Sequence, residues 1–166
     1  MSQQFHGMAR LSEAEMGMLR RIGRRALRHT RRLWGGKRVS FVYHPGYEYV
    51  LQGEQYDPIR GQRILAFLYD EGLISASDLT RPGAATFEQI SRVHSRKYVE
   101  SLDLPETMEA VLGYRIEESR WQELVDAQRV AAGGTIDAVR LALEKGGVAA
   151  NLCGGFHHAS PDRGNG

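Results

Sequence analysis

The sequence feature that most constrains the fold is a long helical pattern that leads directly into a short apolar strand. Apolar residues recur at helical spacing over Trp121–Lys145, and an apolar run follows at 148–153 after two glycines. Such a run, entered through glycines, is typical of a buried strand. Gly133 and Gly134 interrupt the helical pattern, and small residues at that point would let the helix backbone approach a sheet closely.

An earlier strand and helix complete the pattern. Residues 39–43 are rich in β-branched and aromatic side chains, which predicts the first strand. Asp57, as a possible N-cap, and Pro58 are typical of a helix start, and Gly72 is typical of its end. Residues 75–82 are polar and loop-like, with room for a short strand. The order strand, helix, minor elements, long helix, strand predicts an α/β fold with a mainly parallel sheet flanked by helices.

The minor elements lie in the middle of the chain. A second element is predicted to open at 86–90 and a short helix at 95–102. His94 lies between them, and a lone histidine is more often structural than catalytic. Residues 104–118 contain a proline and a glycine that break the helical pattern, so this stretch is predicted to be irregular. A loop of that length in a compact domain is usually functional or mobile.

The charge is divided unevenly along the chain. The formal net charge is +2, but residues 1–38 hold ten of the 22 Lys and Arg residues and only two of the 20 Asp and Glu residues. A shift of this size predicts a basic N-terminal extension, residues 1–38, followed by a folded body, residues 39–166.

The basic extension carries an amphipathic pattern. From Leu19 to Trp34, apolar residues recur at helical spacing and seven arginines occupy the remaining positions, which predicts a helix. Through residues 19–38 such a helix could bind nucleic acid or an anionic membrane surface, or act as a transit peptide. The alternative is a solvated helix that packs its apolar stripe on the domain, since charge runs usually serve solubility.

The cysteine content and the hydropathy of the chain indicate the cellular compartment to expect. No stretch has the length of a transmembrane helix, and the N-terminus lacks the apolar core of a secretory signal, so we expect a cytoplasmic protein. The single cysteine, Cys153, agrees with a reducing compartment and excludes an internal disulfide framework. Because it lies in the apolar run, we expect it to behave as an inert small hydrophobic residue.

Two adjacent histidines leave the carboxyl end of the last predicted strand. In open α/β sheets the loops at that end form the crevice where ligands and catalytic groups collect. Gly154 and Gly155 would allow a sharp turn there. His157 and His158 cannot both lie on one apolar face, because neighbouring side chains of an extended segment point in different directions. The pair therefore favours proton-transfer chemistry over a structural role.

Five short segments occur in an order that matches a known family. They are Val42-Tyr43-His44-Pro45, Asp57-Pro58-Ile59-Arg60, Val93-His94-Ser95-Arg96-Lys97-Tyr98, Gly133-Gly134-Thr135-Ile136-Asp137-Ala138 and Gly154-Gly155-Phe156-His157-His158-Ala159. Over residues 39–166 the chain resembles the N-terminal half of the histone deacetylase family, including its bacterial acetoin-utilisation and acetylpolyamine deacetylase relatives. The resemblance implies part of an arginase/deacetylase-like fold and acetylated lysine or polyamine substrates.

The resemblance also implies roles for individual residues. His157 and His158 would be the paired active-site histidines that hold a zinc-bound water and exchange its proton with the substrate amide. Either Asp103 or Glu106 would be the acidic rim residue that grips the substrate backbone. Four further positions would line the substrate cavity and tunnel: Arg60, Gly155, Phe156 and Gly166.

The sequence departs from the family in one large respect. The family's zinc ligands, two aspartates and a histidine, lie downstream of the matching region, and none of them is in this chain. We therefore expect the N-terminal portion of a zinc-dependent deacetylase that is truncated and inactive as given. A non-catalytic binding or regulatory module that uses the basic helix is the alternative. Arginase-like hydrolases share the fold but lack the tandem histidines.

The 166-residue chain should bind zinc weakly or not at all. The spacing of His6, His29, His44 and His94 relative to the carboxylates offers no three-ligand set for this ion. Isothermal titration of purified protein, with a chelator control, measures the affinity. Tight uptake of one zinc ion per chain would contradict this expectation.

Overall fold

A three-stranded parallel sheet forms the centre of the fold. The structure, a computed structural model, describes residues 12–33, 39–48, 57–154 and 158–164. Within these ranges the strands are β1 (Val39–Val42), β2 (Leu79–Thr80) and β3 (Val148–Asn151), in the spatial order β2-β1-β3. The α/β fold with a parallel sheet flanked by helices is therefore confirmed.

The strand β3 is more exposed than the sequence predicts. The apolar run at 148–153 is typical of a buried strand, but Val148 is 60% exposed and the rest of β3 is half-buried. The reason is its position: among the described residues β3 pairs only with β1, in register from Val39 opposite Val148 to Val42 opposite Asn151. An edge strand keeps one row of backbone groups and much of its side-chain surface open.

Six α-helices surround the sheet within the described ranges. They are α1 (Glu13–Leu33), α2 (Arg60–Asp70), α3 (Phe87–Ile90), α4 (Arg96–Ser101), α5 (Pro105–Leu112) and α6 (Trp121–Lys145). Short 3-10 turns occur at Pro45–Tyr47, Ala76–Asp78 and Glu118–Arg120. The predicted long helix coincides with α6, and the predicted basic helix lies within α1 except for Trp34, which is outside the described residues. No helix in the described ranges is long and apolar enough to cross a membrane.

Helix α2 begins later than its sequence suggests. The predicted N-cap Asp57 does not cap the helix, which starts at Arg60 after Ile59. Instead, one carboxylate oxygen of Asp57 accepts the Ile59 N–H at 3.2 Å, and the other lies 3.2 Å from the Arg63 guanidinium. Asp57 therefore closes a turn before the helix, a role that aspartate often takes. The predicted end is confirmed, because Gly72 follows the helix with φ +66°.

The stretch predicted to be irregular contains helix α5. Pro105 occupies its first turn, where its fixed φ is favourable, and Gly113 follows its last residue in the left-handed region. The two helix breakers thus mark the ends of a helix and do not prevent one. Its apolar face packs on the start of α6, where Met108 and Leu112 contact Leu124 and Val125 in a buried cluster.

Helix α6 packs very closely on the 83–85 segment and on Tyr47. A β-carbon at Gly133 would collide with the carbonyl oxygen of Gly83, and one at Gly134 would collide with the Tyr47 hydroxyl group. The Ala85 N–H donates to the carbonyl of Arg129 at 2.8 Å, which fixes the 83–85 segment against the helix. The close approach at the paired glycines is therefore made to the 83–85 segment, to the Tyr47 hydroxyl group and to the side chain of Asn151 in β3.

Helix α1 leaves its apolar stripe exposed. Leu19, Ile22 and Leu27 are each more than half exposed, whereas the basic side of the helix meets the end of α2, where Arg24 pairs with Glu71. The alternative in which α1 packs its apolar stripe on the domain is therefore wrong for the described part of the helix.

Replacing Gly133 with alanine should lower the free energy of unfolding by about 1–3 kcal/mol, because the obstacle is the backbone of Gly83. Urea denaturation followed by circular dichroism measures the change. Gly23→Ala in α1 is the matched control, since nothing lies within 4 Å of its added β-carbon. An unchanged midpoint for the Gly133 variant would contradict the close contact.

The open edge of β3 should make the 166-residue chain prone to aggregation. Val148→Lys places a charge on that edge and should slow the growth of light scattering at a fixed protein concentration. Val93→Lys is the control, because Val93 is 67% exposed but lies outside the sheet. A soluble monomer with a cooperative thermal transition would count against this prediction.

Candidate active site

The carboxyl ends of the paired strands bring two chain segments to one edge of the sheet. Because β1 and β3 are parallel and Val42 lies opposite Asn151, the residues that follow both strands leave at the same edge. Leu152 donates its N–H to the carbonyl of Val42 at 3.0 Å, and Tyr43 donates to the carbonyl of Thr80 at 3.1 Å. The pairing thus extends one residue beyond each strand and sets where the chain departs.

The start of α2 lies over this edge. A β-carbon at Gly61 would lie 3.2 Å from the Tyr43 ring and 3.3 Å from the carbonyl oxygen of Leu152. Arg60, the first residue of α2, therefore lies beside the ends of β1 and β3, with an exposed side chain. Its predicted role in the substrate cavity stays a prediction.

A partly buried hydrogen-bond network fixes the end of β3 to α6. Tyr47, only 5% exposed, donates its hydroxyl proton to Asn151 Oδ1 at 2.9 Å. Asn151 Nδ2 donates to the carbonyl of Ala131 at 3.0 Å and to Thr135 Oγ1 at 3.1 Å. The N–H of Cys153 also approaches Asn151 Oδ1, at 3.4 Å. One amide side chain therefore ties together the 3-10 turn after β1, the helix and the turn after β3.

Both tyrosines at this edge remain protonated at neutral pH. Burial, together with the hydrogen bond to the Glu48 carboxylate, raises the pKa of Tyr43 to about 12. Burial, followed by the nearby Cys153 and Asp137, raises the pKa of Tyr47 well above its usual range, although the hydrogen bond to Asn151 opposes this. The two rings meet edge to face at 5.8 Å. These phenols can therefore donate hydrogen bonds but do not exchange protons near pH 7.

His44 is held as a structural residue of the first turn. Its Nδ1 accepts the N–H of Gly46 at 2.8 Å. Desolvation, followed by the positive charge of Arg81, lowers the pKa of the His44 imidazole. Desolvation and the Arg81 charge both favour the neutral ring. Because Nδ1 accepts a hydrogen bond, the proton of that ring lies on Nε2.

The segment that contains His158 is anchored to the turn between α3 and α4. The carbonyl oxygen of Ser160 lies 2.9 Å from His94 Nδ1, so this nitrogen carries the proton. The carbonyl of Pro161 accepts the Ser95 N–H at 2.8 Å. His94 also lies beside the Tyr98 ring, with a centroid separation of 5.2 Å. His94 therefore makes a structural contact with the 158–164 segment.

An apolar cavity of about 420 Å³ lies beside the same segment. Helices α3 to α6 supply most of its wall, and the connecting segments and the 158–164 segment supply the remainder, through Ala85, Val93, His94, Leu102, Ala159 and Gly164. Most of the lining is hydrocarbon, with the polar atoms of His94, Gln89 and Gln128 among the exceptions. The path of residues 158–164 therefore forms one side of a hydrophobic space.

The predicted site residues divide into two groups. The residues of the first group are described and exposed: His158, Arg60, Asp103 and Glu106. Glu106 lies in the first turn of α5. The other predicted site residues lie outside the described residues: His157, Gly155, Phe156 and Gly166. The catalytic, cavity and rim roles of all of them stay predictions.

The described residues do not fit a zinc ion. No group of three or more His, Cys, Asp and Glu side chains in that part of the chain could hold a metal. The side chains that meet at the strand ends are phenols and an amide, which are poor zinc ligands compared with imidazole, thiolate and carboxylate.

Sequence reasoning missed the network of Tyr47 and Asn151. The available signal was a polar residue, Asn151, at the end of an otherwise apolar run, together with a tyrosine directly after His44-Pro45-Gly46. An amide in an apolar strand needs hydrogen-bond partners where it is shielded from water, so its position predicts a network even where the sequence does not identify the partners.

Comparison with known proteins identifies the family to which this chain is similar. The histone deacetylase domain family matches residues 54–166. Histone deacetylase 2 of Arabidopsis thaliana is 29% identical over 138 residues, which cover 78% of this chain and 35% of that protein. An uncharacterised protein of Picosynechococcus sp. is 32% identical over 126 residues, which cover 75% of this chain and 41% of that protein.

The fold agrees as well. The crystal structure of an HDAC homolog from Aquifex aeolicus matches with a TM-score of 0.60 and 25% identity, over 78% of this chain and 37% of the other. The chain thus spans between 35% and 41% of the length of these relatives. Because the family match covers more than half of the chain and the fold is shared with a homologous structure, this chain belongs to the histone deacetylase family.

Proposed function

We propose that this chain is the N-terminal portion of an amide hydrolase that removes acetyl or acyl groups from lysine or polyamine amides. The observation that carries the proposal is the place of the tandem histidines in the sequence, directly after β3, which ends at the carboxyl edge of a parallel sheet. Asn151 and the contact of His94 with Ser160 fix the described chain before and after residues 155–157. Ligands of open α/β sheets bind at that edge.

His157 and His158 supply the proton transfers in this proposal. Hydrolysis adds water to the amide carbonyl carbon and breaks the C–N bond, so one proton must leave the water and one must reach the departing nitrogen. A neutral imidazole accepts the first proton, and an imidazolium donates the second. Two adjacent histidines allow one to remain charged and stabilise the negative charge on the carbonyl oxygen.

The residues at the end of β3 support this chemistry because they hold the chain in a fixed position. The hydrogen bonds of Asn151 fix the last residue of β3 relative to α6, and Leu152 continues the pairing with β1. A misplacement of about 1 Å in a catalytic group can cost about 10²-fold in rate, so a rigid base is a requirement of acid–base catalysis. Proteins of this family are typically zinc-dependent, and residues able to hold that ion would have to come from outside the described part of the chain.

A non-catalytic binding or regulatory module is the second candidate. The observation that favours it is the combination of an exposed apolar stripe on α1 with the lack of a metal-binding group among the described residues. Hydrolytic activity in a protein that contains this chain and the rest of the family domain would decide between the two candidates.

In such a longer protein, His158→Ala should lower kcat by about 10² to 10⁴, because it removes a group that transfers a proton in the transition state. His157→Ala should be less severe if that histidine acts mainly through its charge. Neither substitution should change the zinc content or the fold, since both residues follow the strand. Steady-state hydrolysis of an acetyl-lysine peptide, with zinc measured in each variant, gives the result.

The double variant provides the decisive outcome for this pair. Wild-type kcat with full zinc content in the His157→Ala, His158→Ala protein would refute the catalytic role of the tandem histidines. Thr86→Val serves as a control, because it removes a helix cap remote in sequence from the tandem histidines and should alter stability more than kcat.

A further inference from the structure

Helix α1 presents a continuous apolar stripe to solvent. Met18, Leu19, Ile22 and Leu27 are between 51% and 58% exposed. On a helical wheel these four residues fall within one half of the circumference, together with Ala26. An exposed stripe of large apolar side chains marks an interaction site, because leaving such an area in water is unfavourable.

The arginines with described side chains fall in the opposite half of the same helix, and three of them, Arg21, Arg24 and Arg25, meet the end of α2. Arg24 pairs with Glu71, and a β-carbon at Gly72 would lie 2.6 Å from Arg25 Cγ and 3.3 Å from the carbonyl oxygen of Arg21. The helix is thus oriented with its basic half toward the end of α2. Its apolar half faces away from the folded body.

We propose that α1 lies in the surface plane of a membrane that contains anionic lipids, with the apolar stripe among the acyl chains. A helix of 21 residues is about 30 Å long, enough to make an extended contact. It carries seven arginines and two glutamates, so the net positive charge complements anionic headgroups. Arg20 flanks the stripe on the helical wheel, where a long side chain reaches the headgroup level.

A membrane surface fits the orientation better than the other occupants. Nucleic acid would be bound by the basic half, which Glu71 partly neutralises, and would leave the apolar stripe in water. A second copy of α1 would bring two strongly positive helices side by side, and that repulsion opposes a symmetric dimer. A membrane that contains anionic lipids offers acyl chains to the apolar stripe and anionic headgroups to the positive charge.

The test is flotation of the 166-residue chain with vesicles on a density gradient, which separates bound protein from aggregates. Vesicles of phosphatidylcholine mixed with phosphatidylglycerol should carry the protein upward, and vesicles of pure phosphatidylcholine should carry much less. The double substitution Leu19→Glu, Ile22→Glu should lower the bound fraction by about tenfold or more. The matched control is Val93→Glu, Leu143→Glu, which changes two exposed apolar residues outside α1 by the same chemistry and should leave binding unchanged.

A second variant separates charge from hydrophobic contact. Arg20→Gln should weaken binding to the anionic vesicles, and high salt should have the same effect. Equal binding to both vesicle types, or an equal loss in the control pair, would overturn the proposal. So would binding of duplex DNA without binding of vesicles, or a dimer in sedimentation velocity that the Leu19→Glu, Ile22→Glu variant converts to a monomer.

Discussion

The close contact of α6 with the 83–85 segment, with Tyr47 and with the end of β3 is the constraint on which the rest of the fold depends. Two consecutive glycines, Gly133 and Gly134, remove the side chains that would otherwise separate the helix from the 83–85 segment and from Tyr47. Only with the helix at this distance can Asn151 reach the carbonyl of Ala131. The end of β3, and with it the chain that carries the tandem histidines, is therefore positioned by the absence of two side chains.

Much of the fold follows from patterns that the sequence displays locally. Helical periodicity identified α6, the capping residues Thr86 and Ser95 mark the starts of α3 and α4, and Gly72 marks the end of α2. Helix α5 was missed because Pro105 and Gly113 were interpreted as breakers, although the same residues are favourable at helix ends.

Features that depend on distant residues were harder to predict. The exposure of β3 depends on which strands lie beside it, and the apolar composition of the run carries no information about that. The orientation of α1 depends on which half of the helix meets α2. A helical wheel separates the apolar half from the basic half, but it does not indicate which half contacts the rest of the protein. The sequence placed the tandem histidines after the last strand, but the contacts of Tyr47 and Asn151 span more than 100 residues and required the structure.

The amide of Asn151 has a consequence for what can replace it. Its nitrogen gives protons to two oxygens, and its oxygen receives them from the phenol of Tyr47 and the backbone of Cys153. Aspartate has the same shape but two acceptor atoms, so the lone pairs of the Ala131 carbonyl would face a negative oxygen. Deamidation at this single position would exchange one NH₂ group for an oxygen and turn attraction into repulsion where the chain leaves the sheet.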